Sequence, residues 1–416
     1  MPQPIHNGSR RLPVAPDRPI PSNARRNFRR ALCWALAAIV PAVGAYAAEW
    51  SVKGSANLTG KFDDNVRLSS TNEQSVFGAI FVPQMTLRRR SPLWDMSFMA
   101  DLSLARYTED SNLDSEDPRL RADIRYRTQL GQIRLEAEAS RASTLVTEVI
   151  DGGNFTTNTQ RNLFRLAPSW SYIVSEIDTL SFGAGWTEVS YDSNALNDYR
   201  NLAANVGWAR QVTQADVANL NLSVNYFESE AIVDLQSTSL TAQAGWEHTF
   251  SERLKTSVAA GPQFYMTDVL TAGGGLQTDE EQSFGYSLSA SVDYDLSELT
   301  TLGASFTRQI EPTSSGSPLQ RNRIEVNASH KFLPRLSGGL RLFFQQESNP
   351  TGDTGTSRDR DFISVEPRLT WMVAEDWGLT GSYRFRTQDT ETANRANSNA
   401  IFVTMTYRPN GWVFAR

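Results

Sequence analysis

LKTSVAAGPQFYM, residues 254–266, places Leu254, Val258, Ala260, Pro262 and Phe264 on one parity and Lys255, Ser257, Gly261 and Gln263 on the other. After a polar interval, Phe284, Tyr286, Leu288, Ala290, Val292 and Tyr294 alternate with Gly285, Ser287, Ser289, Ser291 and Asp293. Leu302, Ala304 and Phe306 continue against Gly303, Ser305 and Thr307. A period of two means a strand with one apolar and one wet face. The wet faces carry small polar groups, Gly, Ser, Thr and Asn, which suit a confined aqueous interior. Several apolar faces end in aromatics, among them Trp208, Tyr226, Trp246, Trp371 and Phe385. Aromatic girdles at two membrane interfaces account for these, and a closed barrel is the one β-structure that satisfies its backbone in lipid.

The same rhythm runs from Trp50 onward, and the connections alternate in length. Short turns fall near Arg90-Ser91-Pro92, Gly131, Ser175-Glu176, Thr213-Gln214, Ser251-Glu252, Ser297-Glu298, Pro334 and Glu375-Asp376. Longer polar segments lie between them: Thr108–Pro118, Thr144–Thr159, Asp268–Gln282, Glu311–Pro318 and Glu347–Arg358. Short periplasmic turns alternating with long external loops predict an all-β fold, a transmembrane antiparallel β-barrel of about eighteen strands. The expected closure pairs Trp50–Leu58 with Ile401–Tyr407. A hairpin concealed in Ala142–Thr159 would change the count by two.

The 416 residues are 40% hydrophobic and 21% charged, with a formal charge of −6. The mean hydropathy of −0.40 suits a soluble protein and also a barrel that is apolar outside and polar inside. Past the N-terminus no second long apolar run exists, which excludes a helical membrane protein. At the N-terminus Arg25, Arg26, Arg29 and Arg30 precede the apolar stretch Ala31–Val43 and the small-x-small pattern Ala45-Tyr46-Ala47. This reads as a secretory signal. Arg25-Arg26-Asn27-Phe28 is similar to a twin-arginine signal, but that route carries folded cargo and a barrel crosses unfolded. The expected organisation is a cleaved leader over residues 1–47, a barrel over 48–407 and a short periplasmic tail over 408–416. Cys33, the single cysteine, falls in the leader, so the mature chain has no thiol chemistry.

Catalytic groups are scarce. His248 and His330 are the histidines left after cleavage, both on the apolar parity near short turns, where an imidazole sits among headgroups. Neither has hydroxyl and acid partners at a spacing legible in the sequence. No catalytic residue, cofactor, metal site or nucleic-acid partner is expected.

The wet parity is richer. It holds Lys53, Arg88, Arg121, Arg125, Arg127, Arg134, Arg165, Lys255, Arg323, Arg341, Arg368, Arg384 and Arg386. Its acids are fewer: Asp95, Asp101, Asp123, Glu136, Glu138, Glu247, Asp293, Glu325 and Glu366. Arg210 shares the apolar parity of Val206 and Trp208, where it snorkels to headgroups. Other acids collect in external loops (Glu109, Asp110, Asp114, Glu116 and Asp117; Asp279, Glu280 and Glu281). The candidate lumen-lining path for an anion or polymer is Arg121, Arg125, Arg134, Arg165, Arg323, Arg341, Arg368, Arg384 and Arg386. Cationic rings in a pore favour anions, while arginine–carboxylate ladders that only brace the wall are the competing reading. Arg384 and Arg386 stand out because they share a face with no acid between them.

Two segments carry a resemblance. Trp50-Ser51-Val52 leads to Lys61-Phe62-Asp63-Asp64-Asn65-Val66, and the barrel ends Ala400-Ile401-Phe402-Val403-Thr404-Met405-Thr406-Tyr407-Arg408-Pro409. With the mature length and hairpin rhythm, these resemble the outer-membrane β-barrels of exopolysaccharide operons, the EpsL/VpsM-like group. By itself the Asp63-Asp64-Asn65 stretch is also a plain turn signal. The resemblance implies a conduit for a secreted, anionic exopolysaccharide in the bacterial outer membrane, working with a periplasmic polysaccharide-export protein amid outer-membrane lipid and lipopolysaccharide. A general or anion-selective diffusion porin is the alternative, with Thr144–Thr159 or Asp268–Gln282 folded inward as its constriction. A lipid-modifying enzyme or adhesin is third.

Overall fold

The computed structural model describes residues 48–144, 159–193, 196–230, 233–271, 278–311, 319–348, 359–390 and 393–415. The leader expected over residues 1–47, most of Thr144–Thr159, and the Gly273-Gly274-Gly275 run within Asp268–Gln282 lie outside the described residues.

Among the described residues eighteen long strands and one short one make a single antiparallel sheet. They are β1 (Glu49–Asp63), β2 (Val76–Arg90), β3 (Trp94–Tyr107), β4 (Ser115–Thr128), β5 (Gly131–Ser143) and β6 (Gln160–Ile173). Next come β7 (Asp178–Tyr191), β8 (Asp198–Gln211), β9 (Asp216–Glu230), β10 (Val233–Ser251), β11 (Leu254–Thr271) and β12 (Thr278–Ser297). The last are β13 (Thr300–Glu311), β14 (Leu319–Leu333), β15 (Leu336–Ser348), β16 (Arg360–Met372), β17 (Trp377–Thr390), β18 (Ala393–Tyr407) and the short β19 (Trp412–Ala415).

Each long strand pairs with its sequence neighbours, and β1 pairs with both β2 and β18, so the eighteen close into a barrel. Closure leaves no free edge around that ring, the condition for burying a sheet in lipid. The closing register is Ala56–Asp63 against Ala400–Tyr407, several residues further along β1 than the expected Trp50–Leu58. The lower part of β1 is occupied instead: Glu49–Val52 pairs with Ala415–Trp412, because the chain after Tyr407 returns to extended backbone and adds β19 there.

Every short turn falls where the sequence put it. At the β4–β5 turn Gly131 has φ +147°, and a Cβ there would collide with the Ser171 carbonyl, so only glycine fits. Four of the five expected loops are shorter than read, because strands run 12 to 20 residues rather than the roughly ten a bilayer requires. Asp268–Gln282 is largely strand, paired in register from Asp268↔Glu280 to Leu270↔Thr278. Its described residues therefore extend the β11–β12 hairpin, and residues 272–277 lie outside the described residues. Ser115–Pro118, Glu311, Glu347 and Ser348 are likewise strand.

The outer face is apolar. Phe81, Met85, Leu220, Leu222, Val258, Leu340, Ile401 and Val403 are all well exposed, as a lipid-facing band must be. Most buried polar residues lie on the opposite parity, with Gln345, Glu347, Arg321, Arg360 and Ser398 among the least accessible. Among the described residues the clusters of buried hydrophobic side chains are small and lie near the long-loop end. In two of them the β1–β2 connection, residues 64–75, meets inward-facing side chains. Val66 packs with Val76, Leu113 and Tyr107, and Leu68 with Phe362, Ala396 and Phe343.

Candidate functional site

The strand registers place all nine candidate arginines on the inner face, and they also supply partners that the sequence did not show. Arg121 reaches Glu138 at 3.2 Å and Arg125 reaches Asp123 at 2.9 Å. Arg134 bridges Asp123 and Glu136. Arg323 donates to Glu311 at 2.9 Å, Arg341 to Glu325 at 3.2 Å, and Arg384 to Glu366. Arg386 donates to Asp63 at 3.1 Å and to the Ser398 hydroxyl at 2.9 Å. The face of Arg384 and Arg386 is thus not free of acid, since their carboxylates come from β16 and β1. Arg165 and Arg368 are exposed and make no ion pair among the described residues.

Sequence reading missed part of this network. Arg119 forks onto Asp101 at 3.0 and 3.2 Å. Arg321 joins Glu311 at 2.7 Å and Glu347 at 2.9 Å, and Arg360 joins Glu347 at 3.3 Å. Lys61 meets Asp63 at 3.0 Å. Asp117, expected in an external loop, lies buried on the inner parity of β4, bonded to the Ser115 hydroxyl at 2.8 Å. Of these groups Ser115, Asp117, Glu311 and Glu347 sit at strand ends within the segments expected as loops. Knowing that the strands outlast the membrane by several residues would have found them. Fork geometry and stacking hold the arginine heads to the wall: Arg384 lies 4.8 Å over the Phe402 ring and Arg360 5.2 Å over Phe362.

The charges are unevenly distributed around the barrel. Inward charges crowd β2–β6 and β14–β17. On β7, β8 and β9 the described inward side chains carry none. The neighbouring strands β10–β13 carry theirs near the ends, as with Glu247, Lys255, Asp293, Asp295 and Glu311. In their place stand amides, hydroxyls and glycines: Asn205, Asn221 and Asn225, Ser223, Ser257, Ser289 and Ser291, Gly183, Gly207 and Gly245. Hydroxyls pair across strands there, Ser257 with Ser291 at 2.8 Å, and Gln243 donates to Ser287 at 3.0 Å.

The β1–β2 connection crosses the closing seam from within. Asn65 donates to the carbonyls of Ser69 and Asn397, Asp64 accepts from Asn399, and Arg67 and Gln74 both reach Asp110 in the β3–β4 connection. Leu68, the one non-glycine with positive φ among the described residues (49°), turns the chain so that its side chain lies against β15, β16 and β18. The Asp110 carboxyl is held below the usual aspartate range by the Asn112 backbone N–H, then by the Gln74 amide and the Arg67 guanidinium. Asp63-Asp64-Asn65, read as a turn, is therefore the fastening of a strap.

Both histidines sit on the outer parity near short turns. His248 Nδ1 lies 2.6 Å from Asp216, which also accepts from the Trp246 indole, so this histidine does have an acid partner, supplied by β9. His330 Nδ1 lies 2.7 Å from the Thr300 hydroxyl. Trp208 and Arg210 approach Asp178 in the same way at the next hairpin pair. Polar tips held at the rim of an apolar band are what an interfacial girdle requires. The described residues hold no cluster of potential metal ligands.

A closed barrel with a lipid-facing outer band and a polar interior is a porin-like protein of the bacterial outer membrane. Residues 234–409, under half of the chain, match the protein family described as "Putative beta-barrel porin 2". No curated protein matches the chain. Similar solved structures include OccK2 of Pseudomonas aeruginosa, at 11% identity and a TM-score of 0.45, covering 86% of this chain and 98% of that one. The copper transporter OprC has 11% identity and a TM-score of 0.49 over 88% of this chain, which spans 66% of the transporter's length. The alcaligin outer membrane receptor FauA of Bordetella pertussis has 10% identity and a TM-score of 0.42, over 86% of this chain and 76% of the receptor.

Proposed function

We propose that the barrel is a conduit for a hydrated exopolysaccharide, with its short-turn end in the periplasm, where a polysaccharide-export protein hands over the polymer. The observation that supports this most is the inner wall of β7–β13, a long surface of amides and hydroxyls between charged ends. A polyhydroxylated chain exchanges hydrogen bonds with such a wall at little net cost, so many weak contacts let it slide. Most of the inward arginines already have carboxylate partners, which weakens the case for a strongly anion-attracting ring. An anionic polymer would depend chiefly on the inward cations without such partners among the described residues, Arg165 and Arg368 with Lys53, Arg127 and Lys255. No catalytic step is proposed, because His248 and His330 face the membrane rim.

A diffusion porin is the second reading. It is favoured by the family matched over residues 234–409 and by the strap across residues 64–75, which narrows the long-loop end as a constriction would. Deleting the gene and restoring it on a plasmid separates the two. The conduit reading expects polymer to disappear from the cell surface on deletion and to return with the plasmid, with uptake of small sugars and antibiotics unchanged. Unchanged surface polymer with slowed small-solute uptake would establish the porin reading instead.

A further inference from the structure

We propose that the inner faces of β7–β10 form a groove that binds a neutral, polyhydroxylated chain. The proposal rests on the carbohydrate-conduit reading and assigns the contact to particular amides. Three asparagines sit directly opposite glycines on successive strand pairs: Asn205 faces Gly183, Asn221 faces Gly207, and Asn219 faces Gly245. The missing side chains are used. A Cβ on Gly183 would collide with the Asn205 amide oxygen, and one on Gly245 with that of Asn219. These carboxamides therefore lie down across the neighbouring backbone instead of standing into the lumen. The result is a trough, one side chain deep, floored with amides and running obliquely over four strands.

The floor is chemically unused. Asn205, Asn221 and Asn225 make no side-chain hydrogen bond among the described residues, and Asn219 makes one long contact, 3.5 Å to Glu247. Each free carboxamide offers two donors and an acceptor, the pattern that meets a pair of adjacent hydroxyls. Toward the long-loop end the trough meets aromatic rings. Tyr199 and Phe227 lie 5.5 Å apart, and Phe227 and Tyr265, both buried, line a small cavity with Asn225, Ser237, Ser239, Ile310 and the Glu311 carboxylate. Of these rings the half-buried Tyr199 offers part of a face to a sugar ring, and the buried ones only back the trough, so the amides carry the contact. The described inward side chains of β7–β9 carry no charge, so a carboxylated or sulfated chain gains nothing here over a neutral one.

The test is equilibrium binding by titration calorimetry on the full barrel in detergent, which needs no open pore. The probes are maltohexaose, cellohexaose and an oligogalacturonate of equal length. At least one neutral hexamer should bind, and Asn205→Ser with Asn221→Ser should weaken it about tenfold, the net worth of one or two hydrogen bonds. Gly183→Ala, which displaces the Asn205 amide without removing it, should weaken binding in the same direction. Serine keeps both positions small and polar, and heat-modifiable gel mobility verifies that each variant is folded. The groove is overturned if neither neutral hexamer binds, if only the galacturonate binds, or if the variants bind as well as the parent. These results leave the conduit reading to the deletion experiment, where loss or retention of surface polymer decides it separately.

Discussion

Two arcs of the same inner wall solve the problem of a wet interior differently. Across β2–β6 and β14–β17, the wall is built of long charged side chains joined in ladders, with Arg384 on Glu366 and Arg121 on Glu138. Across β7–β13 it is built mainly of amides, hydroxyls and glycines, with Gly183 and Gly245 making room for the amides of Asn205 and Asn219 laid across them. The first arc thickens and stiffens the wall, and the second thins it and leaves room. A lumen lined all round by arginine forks would be narrow and sticky to anions. One lined all round by serine and glycine would have nothing inside to brace the seam where β1 meets β18.

The sharpest way to break the comparison is at that seam. Asp63 is 1% exposed and Arg386 9%, so Arg386→Glu sets two buried carboxylates against each other. Disrupting a buried pair costs about 3–5 kcal/mol, and the variant should lose heat-modifiable mobility and reach the outer membrane in much reduced amount. Normal assembly would mean the pair does not hold the seam. A smaller effect is expected from Leu68→Ala, which removes a 4% exposed side chain from its contact with Phe343 and Phe362. A truncation of this kind costs about 2–5 kcal/mol where the packing is global, but here it should loosen residues 64–75 locally. Single-channel conductance should rise, with the unfolding midpoint nearly kept, and a fall in conductance would show that the strap does not narrow the mouth.

The alternation that built both arcs was legible in the sequence. Period two over residues 254–307 fixed which side chains face inward, and the short turns at Gly131, Ser175-Glu176 and Pro334 fixed the hairpins. Partnership across strands was not legible. Glu366 and Arg384 are 18 residues apart and Asp63 and Arg386 are 323 apart, distances set by barrel register and closure. Parity along one strand therefore made Arg384 and Arg386 look unpaired. Strand ends were not legible either, because Asp117, Glu311 and Glu347 are as polar as loop residues. What makes them wall is that the sheet continues beyond the membrane. The strap was hidden for the opposite reason. Asp63-Asp64-Asn65 and Leu68 form an ordinary-looking turn segment, and only the fold brings Phe362 and Ala396 beneath it.

Milder substitutions distinguish the arcs by function. Arg341→Gln removes one cation of a half-exposed pair, and should change stability by less than about 1 kcal/mol while lowering anion preference in reversal-potential measurements. Asn205→Ser on the opposite arc should leave ion selectivity unchanged. Equal shifts from both would mean the lumen is electrically uniform and the division irrelevant to ions. The smallest expected effect is on pH. Because the Asp110 carboxyl is held below its ordinary value near 4, its grip on Arg67 and Gln74 is fully present above that pH and is lost as pH falls through the lowered value. Conductance should therefore be flat from neutral pH down to about 4 and rise only below it. An opening near pH 6 would point to a group other than Asp110.

Polymer in transit can be located directly, because the single natural cysteine, Cys33, precedes the described barrel. Asn221→Cys and Arg341→Cys place one thiol on each arc, and a small membrane-permeant maleimide reports access in living cells. A divided lumen that carries polysaccharide along its neutral arc predicts that labelling of Asn221→Cys falls several-fold while polymer is being made and recovers when synthesis stops, with Arg341→Cys changing far less. Labelling of Asn221→Cys that is the same with and without polymer synthesis would contradict it.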